Sequence, residues 1–600
     1  MKIDLKKNNR IPILIFSLMF GALAIKLSLV MLHDAGSIRT LAFAQLRNET
    51  VLPARRGDIV DRNGSLLASS VSAFTVEADL VAMRRAALGR KNVDTLTEAD
   101  QAAVRAYAQD WSARLDEYLS KTQEGLYKIL TATGSKGNFL SYGLLGSKED
   151  LTNLEKFRQF RRDNELTWLR ILDDTQRYYP NQDMLAQALG IVGQDNKGRF
   201  GLESVYEDDL AGIDGLKISE VDKLSEDILL TEPIVTLPVD GHTLVTTIDE
   251  KIQQIAEEAA QEGLTANQAK GVHIIVMAPR TGEILAMVTS PGFDLNQPYA
   301  VSEGQTVQET WKNRAISDAY EPGSTFKIVT MAAALSEGVV DEDDVFHCPG
   351  YTIVNGIRIN CHNKEGHGDQ NYFDILANSC NPGFIELGRR LGVERLGEWA
   401  EKFGLGTRLG VDLTGEASGK MDFKAGTSDY ALANKSMGQA TMTTSLQLLN
   451  DLNTVVNKGK RTTPHLMKEI RTIKGDGTTE VVRTYEEQRT EDILEDSAAE
   501  TLLAMLENSV ANGGSRAARI DGLRVLGKTG TAQKVNPATG KYEFYVSSFV
   551  GAAPAEDPKI SVFVAVDEPG TDRTFGSQVA APLAKRIIQE SISYLNGPGN

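Results

Sequence analysis

The sequence predicts a multidomain α+β chain with one N-terminal transmembrane helix. Six hundred residues exceed what a single hydrophobic core usually accommodates, so two or more domains are expected. An apolar run over residues 11–32 is long enough to span a bilayer. In the second half, two strand-like runs come early and three come late, with helical patterns between them. This order predicts one antiparallel five-stranded sheet with an inserted, all-helical lobe.

The N-terminal segment has the pattern of a retained membrane anchor. Basic residues precede the apolar run, whose single charge is Lys26, and such basic flanks stay in the cytoplasm. We therefore expect residues 1–10 to be a cytoplasmic tail and the bulk of the chain to lie outside the cytoplasm. A cleaved signal peptide is the alternative, because Ala42-Phe43-Ala44 has the small-x-small form. That site lies about ten residues beyond the apolar run, which is too far.

The next predicted domain covers residues 33–240. Asp61-Arg62-Asn63-Gly64 is a turn signal between two apolar stretches. Further on, Thr97 and Asp100 have the spacing of a capping box at the start of a charged helix. No pattern in the helical stretch from about residue 80 to 170 indicates chemistry.

Residues 241–595 form the last predicted domain. Its first element is an amphipathic helix over 247–264, followed by two apolar runs that flank the turn Pro279-Arg280-Thr281-Gly282. After a long helical span come three strand-like runs, LRVLGKTGTAQK, YVSSFVGAAP and KISVFVAV, and the closing helix VAAPLAKRIIQESISYL. The early hairpin and the late strands supply the five predicted strands.

Charge and cysteine content limit the partners and cofactors. A net charge of −17 argues against nucleic acid as a partner, because its phosphates would be repelled. Cys348 and Cys361 flank a hairpin-like stretch; outside the cytoplasm they could form a disulfide, or they could be free thiols packed as small apolar groups. A metal is disfavoured. Three histidines lie nearby, but no Cys-x-x-Cys or His-Glu-x-x-His pattern accompanies them: His347, His362 and His367.

Ser324 and Lys327 begin the candidate chemistry. They lie three residues apart in YEPGSTFKIVT, just after Pro-Gly and at the start of an apolar helical run. A serine hydroxyl needs a neighbouring base to act as a nucleophile, and a desolvated lysine one turn on can supply it. The alternative is that Ser324 only caps the helix, since serine is a favoured N-cap residue.

Two further motifs favour the catalytic interpretation. Ser379 and Asn381 form the chain's only Ser-x-Asn, near the start of a later helical run. Lys528, Thr529 and Gly530 lie on a predicted strand. Each motif alone is weak, but their order and spacing match the serine-lysine, Ser-x-Asn and Lys-Thr-Gly set of penicillin-interacting enzymes.

Nearly the whole chain resembles the penicillin-binding transpeptidases, and within them the monofunctional class B members. NRAISDAYEPGSTFK, NSCN and GKTGTAQK look like their active-site motifs. RRGDIVDRNGSLLA, RYYPN and GLE look like motifs of the pedestal, or dimerisation-type, domain. Glu321 and the KTGTAQK ending look like the division branch, whereas CPGY, GHG and SCNPGF resemble Gram-positive homologues that include sporulation-specific relatives. The resemblance implies a pedestal over residues 33–240 and a transpeptidase domain over 241–595.

The resemblance also implies the reaction. Ser324 would attack the carbonyl between two D-alanines of a peptidoglycan stem peptide, with Lys327 as the base. Ser379 and Asn381 would relay protons and orient the substrate amide. The resulting acyl-enzyme would pass to the amine of a neighbouring stem, and β-lactams would trap Ser324.

The Lys-Thr-Gly strand has the remaining implied roles. Lys528, Thr529 and Thr531 would hold the terminal carboxylate, with Gly530 between them. The backbone N–H groups of Ser324 and Thr531 would form the oxyanion hole. No metal and no organic cofactor is implied.

Two departures from the family pattern are visible. The chain has Gly438-Gln439-Ala440 where the family often has Gly-Gln-Gly. Residues 213–240 lack the charged turn that usually precedes the catalytic domain. Because Ala440 replaces a glycine, the family pattern does not predict the backbone conformation of that loop.

The leading hypothesis is thus a single-pass membrane transpeptidase that crosslinks peptidoglycan at the septum. An elongation- or sporulation-specific role is the nearest alternative. A β-lactamase is disfavoured, because no glutamate is evident that would activate a deacylating water. A non-catalytic sensor or scaffold has no need of the intact motif residues. Because class B members lack a glycosyltransferase domain, the resemblance implies a SEDS-family glycosyltransferase and other divisome membrane proteins as partners.

Overall fold

The computed structural model describes residues 10–32, 47–90, 92–93, 95–133, 140–220, 233–301 and 304–597. The chain divides into two compact units that interleave along the sequence. The first unit contains Met1–Arg55, Val71–Gln176 and Ile213–Asp240, and the second contains Arg56–Ser70, Arg177–Gly212 and Gly241–Asn600. Two segments that precede residue 241 therefore belong to the C-terminal unit.

The N-terminal helix spans Arg10–Leu32. Its window Pro12–Leu29 has a mean hydropathy of 2.0, and none of this window is buried. By length and composition the helix is able to cross a membrane. Most of the basic flank and Ala42-Phe43-Ala44 lie outside the described residues, so the preference for an anchor over a cleaved signal peptide stays a prediction.

The first unit packs helices against antiparallel strands. The strand Leu66–Asp79 enters this unit at Val71 and pairs with Tyr142–Asp150. The helix Glu98–Leu115 begins with the predicted capping box, because Thr97 and Asp100 each accept the backbone N–H of the other residue through their side chains. Its other elements are the strands Arg47–Leu52, Gly215–Glu220, Ile234–Thr236 and most of Leu169–Tyr178, and the helices Leu80–Leu88, Gln123–Leu130, Leu151–Asn153 and Leu154–Asp163.

The second unit is built on the predicted five-stranded antiparallel sheet, in the order Ile284–Ser290, Gly271–Met277, Ile560–Asp567, Lys541–Ala553 and Leu526–Asn536. Successive residues of the central strands enter opposite cores, as the strand period of two requires. Ile274 and Val276 pack in one hydrophobic cluster, and Ile275 and Met277 pack in the other. Burial of both faces explains why most residues of these strands are apolar.

Two helices cover one face of this sheet. Glu250–Ala266 and Gly576–Leu595 share a hydrophobic cluster with the strands. Asp249 caps the first helix through hydrogen bonds from Lys251 N and Ile252 N. The predicted amphipathic helix over 247–264 is therefore present, with its start shifted to Glu250.

The opposite face carries the inserted lobe, which is not all helical as predicted. Two antiparallel strand pairs lie within it, Phe346–Cys348 with Gly368–Gln370 and Tyr351–Val354 with Ile357–Asn360. Asn355 and Gly356 join the second pair with φ of 49° and 78°, the left-handed values of a type I′ hairpin turn. The lobe helices are Val307–Trp311, Arg314–Ser317, Lys327–Ser336, Tyr372–Ala377, Asn381–Leu391, Val393–Lys402, Asp429–Ser436, Ser445–Val456 and Asp496–Ala511.

Segments from before residue 241 complete the second unit. Ile59–Val60 pairs with the start of Leu66–Asp79 across the predicted turn, where Asp61 accepts the backbone N–H groups of Asn63 and Ser65 at 2.8 Å. The same short strand pairs in parallel with Thr243–Thr246. The remaining elements are Ala186–Leu189, Gly201–Val205, Glu207–Leu210, Gly323–Thr325, Arg461–Thr462, Met467–Ile473, Thr479–Thr484, Arg489–Thr490 and Arg516–Ala518.

Candidate active site

Ser324 lies in a short 3₁₀ turn, Gly323–Thr325, directly before the helix Lys327–Ser336. The N-cap of that helix is Phe326, and no side chain caps it, so Ser324 does not serve as the helix cap. Gly323 has φ of +55°, and its N–H donates to Gly438 O at 2.9 Å. Ser324 is half-buried, whereas its neighbours on both sides are buried. Ser324 is therefore the accessible residue of the turn.

Lys327 is fully buried, and its ammonium group is held by the Ser-x-Asn turn. Its Nζ donates to Ser379 O and to Asn381 Oδ1, both at 2.8 Å, and to Ser379 Oγ at 3.3 Å. Burial lowers the pKa of Lys327 to about 8. At pH 7 about a tenth of this amine is therefore neutral, which is the form that can accept a proton.

The Ser-x-Asn turn is shaped by the two helices that flank it. Tyr372–Ala377 ends just before it, and Asn381 opens Asn381–Leu391 with Pro382 in the first turn. Ser379 has φ of 51°, a left-handed conformation that is uncommon outside glycine. This bend brings the Ser379 carbonyl, the Ser379 hydroxyl and the Asn381 amide to one lysine.

Lys528 reaches the same hydroxyl from the edge strand of the sheet. It is 1% exposed, and its Nζ donates to Ser379 Oγ at 3.0 Å and to Thr529 O at 2.9 Å. Burial lowers the pKa of Lys528 well below its usual value, and the charge of Lys327 lowers it further. Ser379 Oγ accepts from both amines, which leaves its own proton free to point elsewhere.

Gly530 allows the edge strand to approach the serine turn. A Cβ atom at Gly530 would lie 2.4 Å from Ser548 Oγ and 3.0 Å from Thr325 Cγ2, which is too close for a side chain. The flanking threonines are also fixed, because Thr529 N donates to Ser515 Oγ at 3.1 Å and Gly576 N donates to Thr531 Oγ1 at 3.0 Å. The Lys-Thr-Gly strand is therefore rigid beside Ser324.

A cleft of about 490 Å³ opens between these motifs. Of the residues predicted from the sequence, five line it: Ser324, Ser379, Asn381, Thr529 and Thr531. Lys327 and Lys528 reach it through Ser379 Oγ. Phe575 and Ser577 also line the cleft and carry no signal in the sequence. His362 and Gln439 line it too, although the sequence pointed to them only as a nearby histidine and as part of the loop that departs from the family pattern. Ser515 could not be predicted as a site residue either, because its link to the site is the tertiary hydrogen bond that its Oγ accepts from Thr529 N.

The loop that departs from the family pattern keeps a glycine-like backbone. Ala440 has φ of 57°, in the left-handed region, and its N–H donates to Glu321 Oε1 at 3.1 Å. Tyr542 OH donates to the same carboxylate oxygen at 3.1 Å. Burial raises the pKa of Glu321. The alanine therefore adopts the conformation that a glycine would take there, at some cost in strain.

The lobe beside this cleft holds one group of potential metal ligands. Cys348, Cys361 and Cys380 are free thiols, so the disulfide alternative for the first two is not realised in this structure. Together with His367 they place all their donor atoms within 4.8 Å of one another. The sequence disfavoured a metal because the histidines near Cys348 and Cys361 form no Cys-x-x-Cys or His-Glu-x-x-His motif, and it gave no reason to include Cys380.

Enzymes that react with penicillin through a serine combine these three motifs, which defines the class of the protein. The family model for the penicillin-binding protein transpeptidase domain matches residues 272–589, over half of the chain. The model for the penicillin-binding protein dimerisation domain matches residues 51–246. The chain belongs to the penicillin-binding protein transpeptidase family.

Curated relatives match along almost the whole length. Stage V sporulation protein D of Bacillus subtilis is 33% identical over 97% of this chain and 85% of the relative. Peptidoglycan D,D-transpeptidase FtsI of Escherichia coli is 27% identical over 94% of this chain and 87% of the relative. The crystal structure of penicillin-binding protein 3 from Mycobacterium tuberculosis in complex with aztreonam has a TM-score of 0.63 and 25% identity, and covers 91% of this chain and 98% of that chain.

Proposed function

We propose that this protein is a membrane-anchored D,D-transpeptidase that crosslinks peptidoglycan stem peptides through an acyl-enzyme on Ser324. The observation that carries the proposal is the shared hydrogen-bonding of Lys327 and Lys528 to Ser379 Oγ beside a half-buried serine. Ser324 Oγ attacks the carbonyl between two D-alanines, its proton passes to the neutral amine of Lys327, and the terminal D-alanine leaves. The amine of a neighbouring stem peptide then takes the acyl group.

The leaving amine needs a proton, and Ser379 is suited to deliver it. Its hydroxyl accepts from both lysines, at 3.3 Å and 3.0 Å, so its own proton can be given to the substrate nitrogen. The proton that Lys327 took from Ser324 replaces it through the same hydrogen bond. Asn381 holds Lys327 Nζ and is well placed at the cleft wall to orient the substrate amide.

The edge strand would bind the terminal carboxylate of the substrate and the oxyanion that forms when its carbonyl is attacked. Thr529 and Thr531 line the cleft, and their hydroxyl groups, next to Lys528 on the same strand, suit the terminal carboxylate. Gly323 and Thr531 are close, since a Cβ at Gly323 would lie 3.0 Å from Thr531 O. That closeness supports the proposal that the N–H groups of Ser324 and Thr531 form the oxyanion hole. β-Lactams would use the same contacts and acylate Ser324.

The proposal includes the chain's topology and partners. We propose a cytoplasmic tail over residues 1–10, an anchor over 11–32, a pedestal over 33–240 and an extracytoplasmic transpeptidase domain over 241–595. Within the pedestal range, Arg56–Ser70 and Arg177–Gly212 belong to the second compact unit. The apolar helix, exposed along Pro12–Leu29, supports the anchor. That helix and the pedestal are the surfaces on which we would expect a SEDS-family glycosyltransferase and other divisome proteins to dock.

An acyl-transfer assay tests the activity. The full-length protein in detergent is given a stem-peptide thioester donor and a D-amino acid acceptor, and the products are identified by mass spectrometry. A transfer product that disappears in Ser324→Ala supports the proposal. Hydrolysis of penicillin without transfer would indicate a β-lactamase, and absence of any acylation would indicate a scaffold; either result overturns it.

We propose a septal role, supported by the division-type features at Glu321 and in KTGTAQK. A sporulation-specific role is the second candidate, because the Bacillus subtilis relative is named for sporulation. Depletion in the source organism distinguishes them. Filamentous growth supports the septal role, whereas normal division with defective spores contradicts it.

A further inference from the structure

Three cysteines and one histidine converge in the inserted lobe. Cys348, Cys361 and Cys380 are buried free thiols, and His367 is partly buried. Their donor atoms all lie within 4.8 Å of one another, and Cys361 Sγ is 3.7 Å from His367 Nδ1. In a tetrahedral zinc site the ligand atoms are about 3.5–3.8 Å apart, given the usual Zn–S and Zn–N bond lengths. Movements of about 1 Å or less would close the group around an ion.

We propose that this chain binds one zinc ion through Cys348, Cys361, His367 and Cys380. Three sulfurs and one imidazole are the ligands of a closed, structural zinc site, and soft thiolates disfavour magnesium or calcium. The three thiols would release their protons to solvent when the ion binds. The binding of the ion is independent of the proposed function.

The backbone around the four ligands is built for close approach. Cys348 ends one strand of a pair and His367 directly precedes the other, and His367 N donates to Cys348 O at 3.0 Å. Gly366 has φ of +89°, and a Cβ there would lie 2.4 Å from Cys348 O. Cys361 follows the hairpin strand, and its N–H donates to Gly350 O at 2.9 Å. The positions of Cys348, Cys361 and His367 are therefore fixed by backbone hydrogen bonds and close backbone packing, independently of their own side chains.

Simpler interpretations leave part of this group unexplained. A disulfide would use two of the sulfurs and leave a third sulfur and an imidazole nitrogen at the same point. Apolar packing of small thiols gives no reason for the imidazole nitrogen to face them. In addition, Gln370 Nε2 donates to Cys380 Sγ at 3.3 Å, the kind of supporting hydrogen bond that metal-bound thiolates accept.

The proposed site borders the Ser-x-Asn turn. Cys380 is the residue between Ser379 and Asn381, the two residues that hold Lys327 Nζ. Asn381 Nδ2 also donates to Asn360 O at 3.0 Å, and Asn360 immediately precedes Cys361. An ion bound by Cys361 and Cys380 would thus tie the hairpin to the turn and hold Ser379 in its left-handed conformation. This positioning role, unlike the binding itself, rests on the proposed function.

Metal content of the full-length protein in detergent is the first test. We expect about one zinc per chain by elemental mass spectrometry, with the thiols unreactive to a thiol reagent until a chelator is added. Exchange for Co²⁺ should give the thiolate charge-transfer and tetrahedral d–d bands of a cobalt site with several sulfur ligands. A chain without zinc, whose thiols react at once even after Zn²⁺ is supplied, would overturn the proposal. So would an intact mass showing the loss of two hydrogens to a disulfide.

Variants separate the ligands from their neighbours. Cys361→Ser and His367→Ala should lose zinc, whereas the control His347→Ala should keep it, since His347 is exposed and bonded to Asp369. Retention of zinc by His367→Ala would contradict the assigned ligand. Ser324→Ala should also keep zinc, so failure of the catalytic proposal is distinguishable from failure of the metal site. Removal of zinc from the folded wild type should slow acylation by about tenfold or more, and an unchanged rate would refute the positioning role.

Discussion

Glu203 joins the three pedestal-type motifs of the sequence in one buried charge group. It is 0% exposed, and its two carboxylate oxygens accept Arg56 Nε and Arg177 Nε, each at 2.6 Å. These residues belong to RRGD, RYYPN and GLE, which are far apart in sequence. The change Glu203→Gln keeps the size of the side chain and removes the charge. We expect it to destabilise the second unit strongly.

The expected loss of unfolding free energy depends on which partners Arg56 and Arg177 keep after the change. Arg56 keeps its contact with Glu207 at 2.8 Å and its hydrogen bond to Glu203 O, so it retains a counter-charge. In the described part of the chain Arg177 keeps only neutral hydrogen-bond partners, and the shortest of these bonds joins its Nη1 to Gly57 O at 2.8 Å. Breaking a buried ion pair costs about 3–5 kcal/mol. Because only one arginine loses its sole carboxylate, we expect about 3 kcal/mol, at the lower end of that range.

Urea unfolding measures this loss, with the fraction that still binds a fluorescent penicillin reporting the second unit. The matched control is Asp195→Asn, which breaks the exposed Asp195–Arg199 pair at 2.7 Å and should cost no more than about 0.5 kcal/mol. The double change of Glu203→Gln with Arg177→Met should cost less than the sum of the two single changes. If Glu203→Gln falls within 1 kcal/mol of the control, roughly the value of an exposed pair, the reasoning about the buried charge is wrong.

Three further predictions follow from single residues. Lys327→Ala should slow β-lactam acylation by about 10²–10⁴-fold, because the proton acceptor is lost; stopped-flow fluorescence measures the rate, and a loss below tenfold would contradict the assigned role. Ala440→Gly should raise the free energy of unfolding by up to about 1 kcal/mol, since φ of 57° is strained for alanine; a lower denaturation midpoint would count against this. Burial lowers the pKa of His273 to about 4 from 6.5, so as pH falls this histidine is protonated in the unfolded protein before it is protonated in the folded protein. As pH falls from 6.5 to 4, His273 should therefore reduce stability by about 3 kcal/mol in all, and His273→Gln should flatten that slope in urea titrations at several pH values.

The sheet and the catalytic motifs could be predicted because each leaves a local pattern. A strand buried on both faces, such as Gly271–Met277, is apolar except for His273. Lys528 could be predicted as a site residue because Lys-Thr-Gly is a recognisable motif that accompanies Ser-x-Asn, although Lys528 and Ser379 lie 149 positions apart in the sequence. In both cases a few adjacent residues carried enough information to predict the feature.

The remaining features depend on contacts between segments that share no pattern. The four potential metal ligands come from one strand end, two loop positions and a helix cap, and no spacing rule connects them. The hairpin-like stretch between Cys348 and Cys361 is confirmed, but the pairing of Phe346–Cys348 with Gly368–Gln370 could not be predicted, because strands of three residues leave no pattern. The assignment of Arg56–Ser70 to the second unit likewise follows from tertiary contacts alone.

Acylation of Ser324 is the central claim, and intact-mass spectrometry after incubation with penicillin tests it most directly. We predict a stable adduct of one penicillin per chain that maps to Ser324 and is absent from Ser324→Ala. The adduct should persist, because a transpeptidase acyl-enzyme awaits an amine and reacts slowly with water. An unmodified chain with the penicillin intact, or an adduct that persists in Ser324→Ala, would contradict it.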